Sequence, residues 1–174
     1  MNFVGIDPGQ KGAVSVLFGN GKYISGKTIV FYDMPLLPER GIDGLEIVSM
    51  LKIIASSSDT FCVIEKAQPM PSQGSVSGFS YGIGYGKILC ALEFLQIPFQ
   101  EIHPLKWKKE FGIISKRGKT EPKLTISEKK KLSLKVATQL FPSCKEDFFT
   151  QRKALLDGRV EALLLAEYAR RIYK

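Results

Sequence analysis

The sequence predicts an α/β fold built on a five-stranded mixed sheet, with three antiparallel strands first, parallel strands after them, and helices on the flanks. Two observations predict it. Three short runs rich in Val and Ile follow one another at the start of the chain and are joined by turn residues. A helical period then leads to an almost wholly apolar fourth run, and such a crossover is what parallel strands require. Because 174 residues are the length of one domain with a substantial core, we predict a single domain over residues 1–174.

The first strand is predicted over Phe3–Ile6, where an apolar run leads directly into Asp7 and a Pro-Gly dipeptide. Gly12–Phe18 alternates weakly and forms the second strand. The turn residues Gly19–Gly21 lead to a third strand over Tyr23–Tyr32. Short turns between consecutive strands predict an antiparallel meander. The aspartate therefore ends a buried strand, where it either holds the turn or belongs to a site.

A helix and a fourth strand follow. Asp43 is placed to cap a helix reaching about Ala55, in which apolar residues recur about every three positions. Thr60–Glu65 is apolar until its last residue, which is typical of a strand buried on both faces. If this strand lies parallel to the first, Glu65 and Asp7 meet at one edge of the sheet.

Residues 68–80 are rich in Pro, Ser, Gln and Gly and predict a loop, followed by a helix over Phe79–Gln96. Four residues at a spacing of four share one face of that helix: Gly78, Gly82, Gly86 and Cys90. Glycine costs a helix about 1 kcal/mol relative to alanine, so three of them imply a close neighbour. That neighbour is another helix of this chain, the same helix of a second subunit, or a nucleic-acid backbone.

The rest of the chain alternates further apolar patterns with polar breaks. The predicted elements are a strand over Pro98–Ile102, a helical turn from His103 to Phe111, a basic loop over Gly112–Lys123, a helix over Glu128–Leu140 and a last helix over Gln151–Tyr173. Ser127 or Thr125 is placed to cap the penultimate helix. We expect the histidine to have a structural or backbone-contacting role.

Composition excludes several classes of protein. No apolar run approaches the length of a membrane span, and the start resembles neither a signal peptide nor a transit peptide. We therefore expect a cytoplasmic location and no membrane partner. Three widely spaced cysteines, no CxxC pair and a single histidine argue against a Cys/His zinc site.

The positive charge of the chain is concentrated in one segment. Between Lys106 and Lys135 there are eleven basic and three acidic residues, so this segment alone carries +8, the net charge of the whole chain. A local basic block indicates a polyanionic partner, the alternative being a solvated lysine-rich face.

The last helix carries two more acids. Asp157 and Glu161 are four residues apart and share one helix face, where like charges repel unless a cation lies between them. An exposed acidic pair at a helix start is the alternative. With Asp7 and Glu65 they form a set of hard oxygen ligands that suits Mg²⁺ or Mn²⁺. Two such ions are typical of phosphodiester hydrolysis, and the basic block would then hold the phosphates.

Three blocks in order, VGIDPG, CVIEKAQPMPSQG and DGRVEALLLAEYA, resemble RuvC-type Holliday-junction resolvases of the RNase H-like nuclease fold, in their phage or organelle-type forms. The resemblance covers nearly the whole chain. It implies a homodimeric, Mg²⁺-dependent endonuclease that makes paired nicks in four-way junction DNA. The resemblance also implies that the enzyme needs no small-molecule cofactor. It implies that the enzyme acts in a bacterial or phage-infected cell, or in an organelle if a transit peptide has been removed. Asp7, Glu65, Asp157 and Glu161 carry over as catalytic and metal-binding acids.

The same resemblance and the basic block give the expected DNA contacts, with Lys108 and Lys131 nearest the scissile phosphate. The set is Lys66, Gln68, Gln73, Phe79, Tyr81, Lys108, Lys116, Arg117, Lys119 and Lys131. Phe79 and Tyr81 either stack on bases of an opened junction or lie buried under their helix. The familiar bacterial enzymes carry two aspartates three apart in the last helix, so which acid binds which ion stays open. Two rivals remain, a non-catalytic junction-binding module and a sugar-kinase-like phosphotransferase, for which the chain is short.

Overall fold

In the computed structural model, the described residues are 1–19, 28–38, 41–68, 74–114 and 124–173. The antiparallel half of the sheet consists of β1 (Asn2–Asp7), β2 (Ala13–Phe18) and β3 (Ile29–Asp33). Two-residue strands β4 (Leu36–Leu37) and β5 (Gly41–Ile42) then form a small separate hairpin.

The parallel half of the sheet follows a helix. The elements in order are α1 (Gly44–Ser57), β6 (Thr60–Glu65), α2 (Ser75–Phe94), β7 (Phe99–Ile102), α3 (Pro104–Glu110), α4 (Ile126–Leu140) and α5 (Asp157–Ile172). Two short 3-10 turns, Pro142–Cys144 and Glu146–Phe148, precede the last helix.

The main sheet has the order β3-β2-β1-β6-β7. The pairs β1/β2 and β2/β3 are antiparallel, whereas β1/β6 and β6/β7 are parallel. The predicted five-stranded mixed sheet flanked by helices is therefore confirmed. The central strands are apolar on both faces because both faces are covered, as the run in β6 predicted.

Helices cover the two faces of the sheet in separate cores. On one face, α1 and α2 pack on β1 and β6 through residues such as Ile47, Leu51 and Ile88. On the other face, α5 lies across the central strands, with Leu163 and Leu164 fully buried. Both cores are built from buried aliphatic and aromatic side chains, which hold the strand ends in place.

Two glycines let α5 approach the sheet closely. A Cβ atom at Gly5 in β1 would collide with the backbone oxygen of Ala162 and the backbone nitrogen of Ala166. A Cβ atom at Gly158 would collide with the backbone oxygen of Lys11. The first turns of α5 therefore lie directly against the end of β1 and the turn after it.

An ion pair attaches the start of α5 to the edge of the sheet. The guanidinium of Arg159 donates to both carboxylate oxygens of Asp33, at 2.6 and 2.7 Å, and to the backbone oxygen of Asp147 at 3.1 Å. The hydrogen bonds from Arg159 hold the pKa of Asp33 below its ordinary value.

Several predicted boundaries were wrong. Helix α2 begins at Ser75, inside the segment predicted as a loop, because a helix can continue through Ser and Gly residues when its later turns are packed. Helix α5 begins at Asp157 instead of about Gln151. The chain before it doubles back, with Phe149 bridging Leu155 and Lys153 at φ 62°.

Other local predictions were right. Asp43 caps α1 by accepting from the backbone N–H groups of Leu45 and Glu46. Of the two candidates, Thr125 caps α4, in a capping box with Glu128. His103 caps α3 through Nδ1, which is the structural role that we expected.

Of the three neighbours left open for the glycine face of α2, another helix of this chain is excluded at Gly82 and Gly86 by the described part of the structure. Gly82 and Gly86 are exposed, and a Cβ atom added at either would meet nothing within 4 Å. The glycine that does pack is Gly84, whose added Cβ would lie 2.8 Å from Cδ1 of Ile42.

Two predicted segments lie wholly or partly outside the described residues: the start of the third strand at Tyr23, and residues 115–123 of the basic loop. Across the described ranges, every helix is too short or too polar to span a bilayer.

A candidate acidic centre at the edge of the sheet

Two carboxylates lie at the ends of the two central strands. Ile6 pairs with Ile64 in the parallel β1/β6 register, so Asp7 and Glu65 each follow at the same edge of the sheet. Burial, and then the negative charges of Glu161 and Glu65, raise the pKa of Asp7 to about 7. The strand-end juxtaposition expected from the sequence is thus present.

Helix α5 brings the other two acids to the same place. Asp157 is its first residue, and Glu161 lies one turn further on, beside the end of β1. Glu161 is the largest charge acting on Asp7, ahead of Glu65. The close approach at Gly5 and Gly158 is what makes this convergence possible. Each of the four acids is partly, but not fully, buried.

Two lysines lie among these acids as cationic partners. The Nζ atom of Lys108 lies 3.0 Å from Oε2 of Glu161 and 4.0 Å from Oε2 of Glu65. The Nζ atom of Lys130 lies 2.5 Å from Oδ2 of Asp157. The hydrogen bond with Asp157, together with the charges of Asp157, Glu161 and Asp7, raises the pKa of Lys130. Lys108 comes from α3 and Lys130 from α4, so three helices and two strands contribute to this centre.

A tryptophan contacts Glu65 as well. The indole Nε1–H of Trp107 donates to Oε2 of Glu65 at 2.7 Å. Burial raises the pKa of Glu65, and Lys108 and this hydrogen bond oppose that rise. The Glu65 carboxylate is therefore contacted at the same oxygen, Oε2, by the indole N–H of Trp107 and by the ammonium of Lys108.

The donors fit a hard divalent cation in kind. Four carboxylates converge, burial and then the charges of Glu161 and Glu65 raise the pKa of Asp7, and two ammonium groups already contact the other acids as counter-cations. As the side chains lie, however, no three His, Cys, Asp or Glu residues in the described ranges form a ready ligand set. Divalent ions would thus replace the lysine contacts.

The predicted DNA contacts fall into three groups. Lys66 and Gln68 are exposed just beyond Glu65, and Lys131 is exposed on α4. Phe79 is 73% exposed, so it is not buried under its helix. Gln73, Lys116, Arg117 and Lys119 lie outside the described residues.

Tyr81 lies beside the acids. It is half-buried on α2, and burial with the charges of Asp7 and Glu65 raises its pKa to about 12. Its hydroxyl therefore stays protonated near these two carboxylates. Lys108, expected near the scissile phosphate, lies among the carboxylates themselves.

Sequence reasoning missed Lys130 and Trp107 as parts of the centre. Lys130 is the middle residue of a Lys-Lys-Lys run in α4, and no local pattern indicates which of the three faces α5. For Trp107 there was a signal, because a buried indole N–H needs an acceptor and the chain has one tryptophan.

No family model and no curated protein matches this sequence. Solved structures do match. A Thermus thermophilus RuvC structure in complex with a Holliday junction substrate is similar with a TM-score of 0.58 and 13% identity, covering 99% of this chain and 97% of that chain. A second Thermus thermophilus RuvC structure is similar with a TM-score of 0.56 and 20% identity, covering 98% of this chain and 96% of that chain. The chain therefore has the fold of the RuvC structures over nearly its whole length.

Proposed function

We propose that this protein is a RuvC-type, divalent-metal-dependent endonuclease that resolves four-way DNA junctions by paired nicks. The observation that carries the proposal is the convergence of Asp7, Glu65, Asp157 and Glu161 at one sheet edge. This chain covers nearly the whole length of a RuvC structure that is described in complex with a Holliday junction substrate. That likeness supports the choice of substrate.

The four acids would hold Mg²⁺, or Mn²⁺ in its place, with two ions per centre. The chemistry that such ions supply is activation of the attacking water and stabilisation of the leaving 3′ oxygen. In the reaction, the water oxygen bonds to phosphorus, the P–O3′ bond breaks, and the 3′ oxygen gains a proton. No covalent intermediate with the protein is required.

The lysines then have a second role. Once Lys108 and Lys130 no longer neutralise the acids, their ammonium groups lie next to the position of the scissile phosphate and can bind its oxygens. The exposed Lys66 and Lys131 extend this positive surface along the DNA backbone, and the exposed Gln68 adds a neutral hydrogen-bonding amide. Phe79 is exposed in a position to stack on an unpaired base.

The exposed face of α2 supports a homodimer. Gly82 and Gly86 are open, and Val76 and Ile83 on the same helix are 82% and 46% exposed. Contiguous exposed apolar surface of this kind marks an association site. A two-fold dimer would present two acidic centres to the two strands that a junction resolvase must cut.

The ion pairs of Lys108 and Lys130 favour one alternative, a junction-binding module of the same fold without catalysis. A gel assay separates the two functions. The protein is incubated with Mg²⁺ and end-labelled four-way junction, or with linear duplex of the same sequence.

We expect symmetric nicks in two strands of like polarity, on the junction only. Equal cutting of the duplex would contradict junction selectivity. Binding of the junction without cutting in either Mg²⁺ or Mn²⁺ would support the non-catalytic module instead.

A further inference from the structure

We infer that Trp107 is a positioning residue, whose indole N–H fixes the Glu65 carboxylate in the orientation that binds a divalent cation. The inference rests on the proposed function and assigns a role to a side chain that the acid set does not include. It starts from the 2.7 Å hydrogen bond between Nε1 of Trp107 and Oε2 of Glu65.

The donor is rigid. Trp107 is fully buried in the core that α5 forms with the sheet, and its ring meets that of Phe111 edge-on at 6.3 Å. Helix α3, which carries it, is fixed at its start by the cap that His103 provides. A large ring in a packed core has one rotamer, so the N–H direction is set by the fold.

The acceptor, in contrast, would be free to turn. Glu65 is the last residue of β6 and has three rotatable side-chain bonds. The ammonium of Lys108 approaches the same oxygen, Oε2, at 4.0 Å and lies 4.8 Å from the centre of the indole ring. Both groups contact Oε2, so the indole N–H and the ammonium fix the same end of the carboxylate. Hydrogen bonds of this kind to ligating carboxylates typically change metal affinity by 10–100-fold when removed.

A side chain that served only to pack the core would also lie beside the carboxylate. The test therefore has to measure the binding of Mg²⁺. The chain has one tryptophan, and its fluorescence therefore reports on this contact directly. Titration of the wild type with Mg²⁺ alone should give a saturable change in emission. In Glu65→Gln, which keeps an acceptor but loses the charge, the emission before titration should shift and the response to Mg²⁺ should disappear.

A matched control lies three residues away on the same helix. Glu110 is 54% exposed and contacts Arg171 at 3.7 Å. Glu110→Gln should therefore leave both the emission and its response to Mg²⁺ as in the wild type. Identical emission of the wild type and Glu65→Gln without metal would overturn the contact itself, even if no Trp107 variant folds.

Trp107→Phe removes the donor and keeps an aromatic ring. By calorimetry, we expect its half-saturating Mg²⁺ concentration to rise about tenfold or more, and junction cleavage to recover when Mg²⁺ is raised to match. Loss of thermal stability with an unchanged Mg²⁺ midpoint would show a packing role and overturn the inference. A wild type that shows no response to Mg²⁺ by either method would overturn the proposed function and this inference together.

Discussion

Asp7 should make the protein less stable at neutral pH than it would be without this charge. Its folded pKa of about 7 lies above the ordinary value of 3.8. Because the folded chain keeps a proton that the unfolded chain has lost, the free energy of unfolding falls as pH rises from about 3.8 to about 7 and levels off above. The difference is about three pH units, or about 4 kcal/mol at about 1.4 kcal/mol per unit.

Asp7→Asn keeps the shape of the side chain and cannot ionise. In buffer with EDTA, we expect this variant to match the wild type near pH 4 and to be more stable by about 2–4 kcal/mol at pH 8. Urea unfolding followed by the fluorescence of the single tryptophan, at pH steps from 4 to 8, measures the difference.

A second series with saturating Mg²⁺ is the control, since a cation that binds the folded acids should restore the wild type relative to the variant. Parallel stability curves for the two proteins from pH 4 to pH 8 in EDTA would refute the electrostatic reasoning. They would mean that Asp7 ionises in the folded chain as easily as in water.

Three further changes test the fold, the dimer and the edge ion pair. Gly5→Ala should lower the free energy of unfolding in urea by several kcal/mol, because the added Cβ meets the backbone of α5. Gly82→Ala, with open space around it, should leave that free energy unchanged or raise it by about 1 kcal/mol. Equal effects of the two substitutions would contradict the described packing. Gly86→Leu should shift the mass measured by light scattering from dimer towards monomer. Gln139→Leu, on the exposed surface of α4, should leave the mass as in the wild type. An unchanged mass for Gly86→Leu would argue against this dimer face. Asp33→Asn should remove less than about 1 kcal/mol above pH 3.8, and this difference should shrink as pH falls from 3.8 through the lowered folded pKa of Asp33. A difference that stays constant from pH 6 to the lowest pH at which both proteins fold would exclude the ion pair with Arg159 as its cause.

The sheet and the strand-end acids were predictable because their signals are local. Apolar runs that stop at Asp7 and Glu65 define strands, and a helix between two such runs makes them parallel. Parallel neighbours end at one edge, so the two carboxylates meet without any further information. Asp157 and Glu161 followed from their spacing on one helix face.

What the sequence did not indicate depends on how helices pack. Which lysine of the run in α4 reaches Asp157 is decided by the rotation of that helix against α5, and the family resemblance indicated only Lys131, as a contact to the scissile phosphate. The packed glycine of α2 is Gly84, two residues from Gly82 and Gly86 and therefore on the opposite side of the helix, because the small β4/β5 hairpin lies there. The late start of α5 comes from a turn around Lys153 whose backbone no propensity scale predicts.

The most direct test compares the wild type and Asp7→Asn on the same four-way junction in Mg²⁺, with binding and cleavage measured separately. We expect the variant to bind the junction within about twofold of the wild type, whose DNA-facing lysines it retains, and to lose cleavage by at least about a hundredfold. Cleavage by Asp7→Asn at the wild-type rate would contradict the claim that the acids at this sheet edge form the catalytic centre.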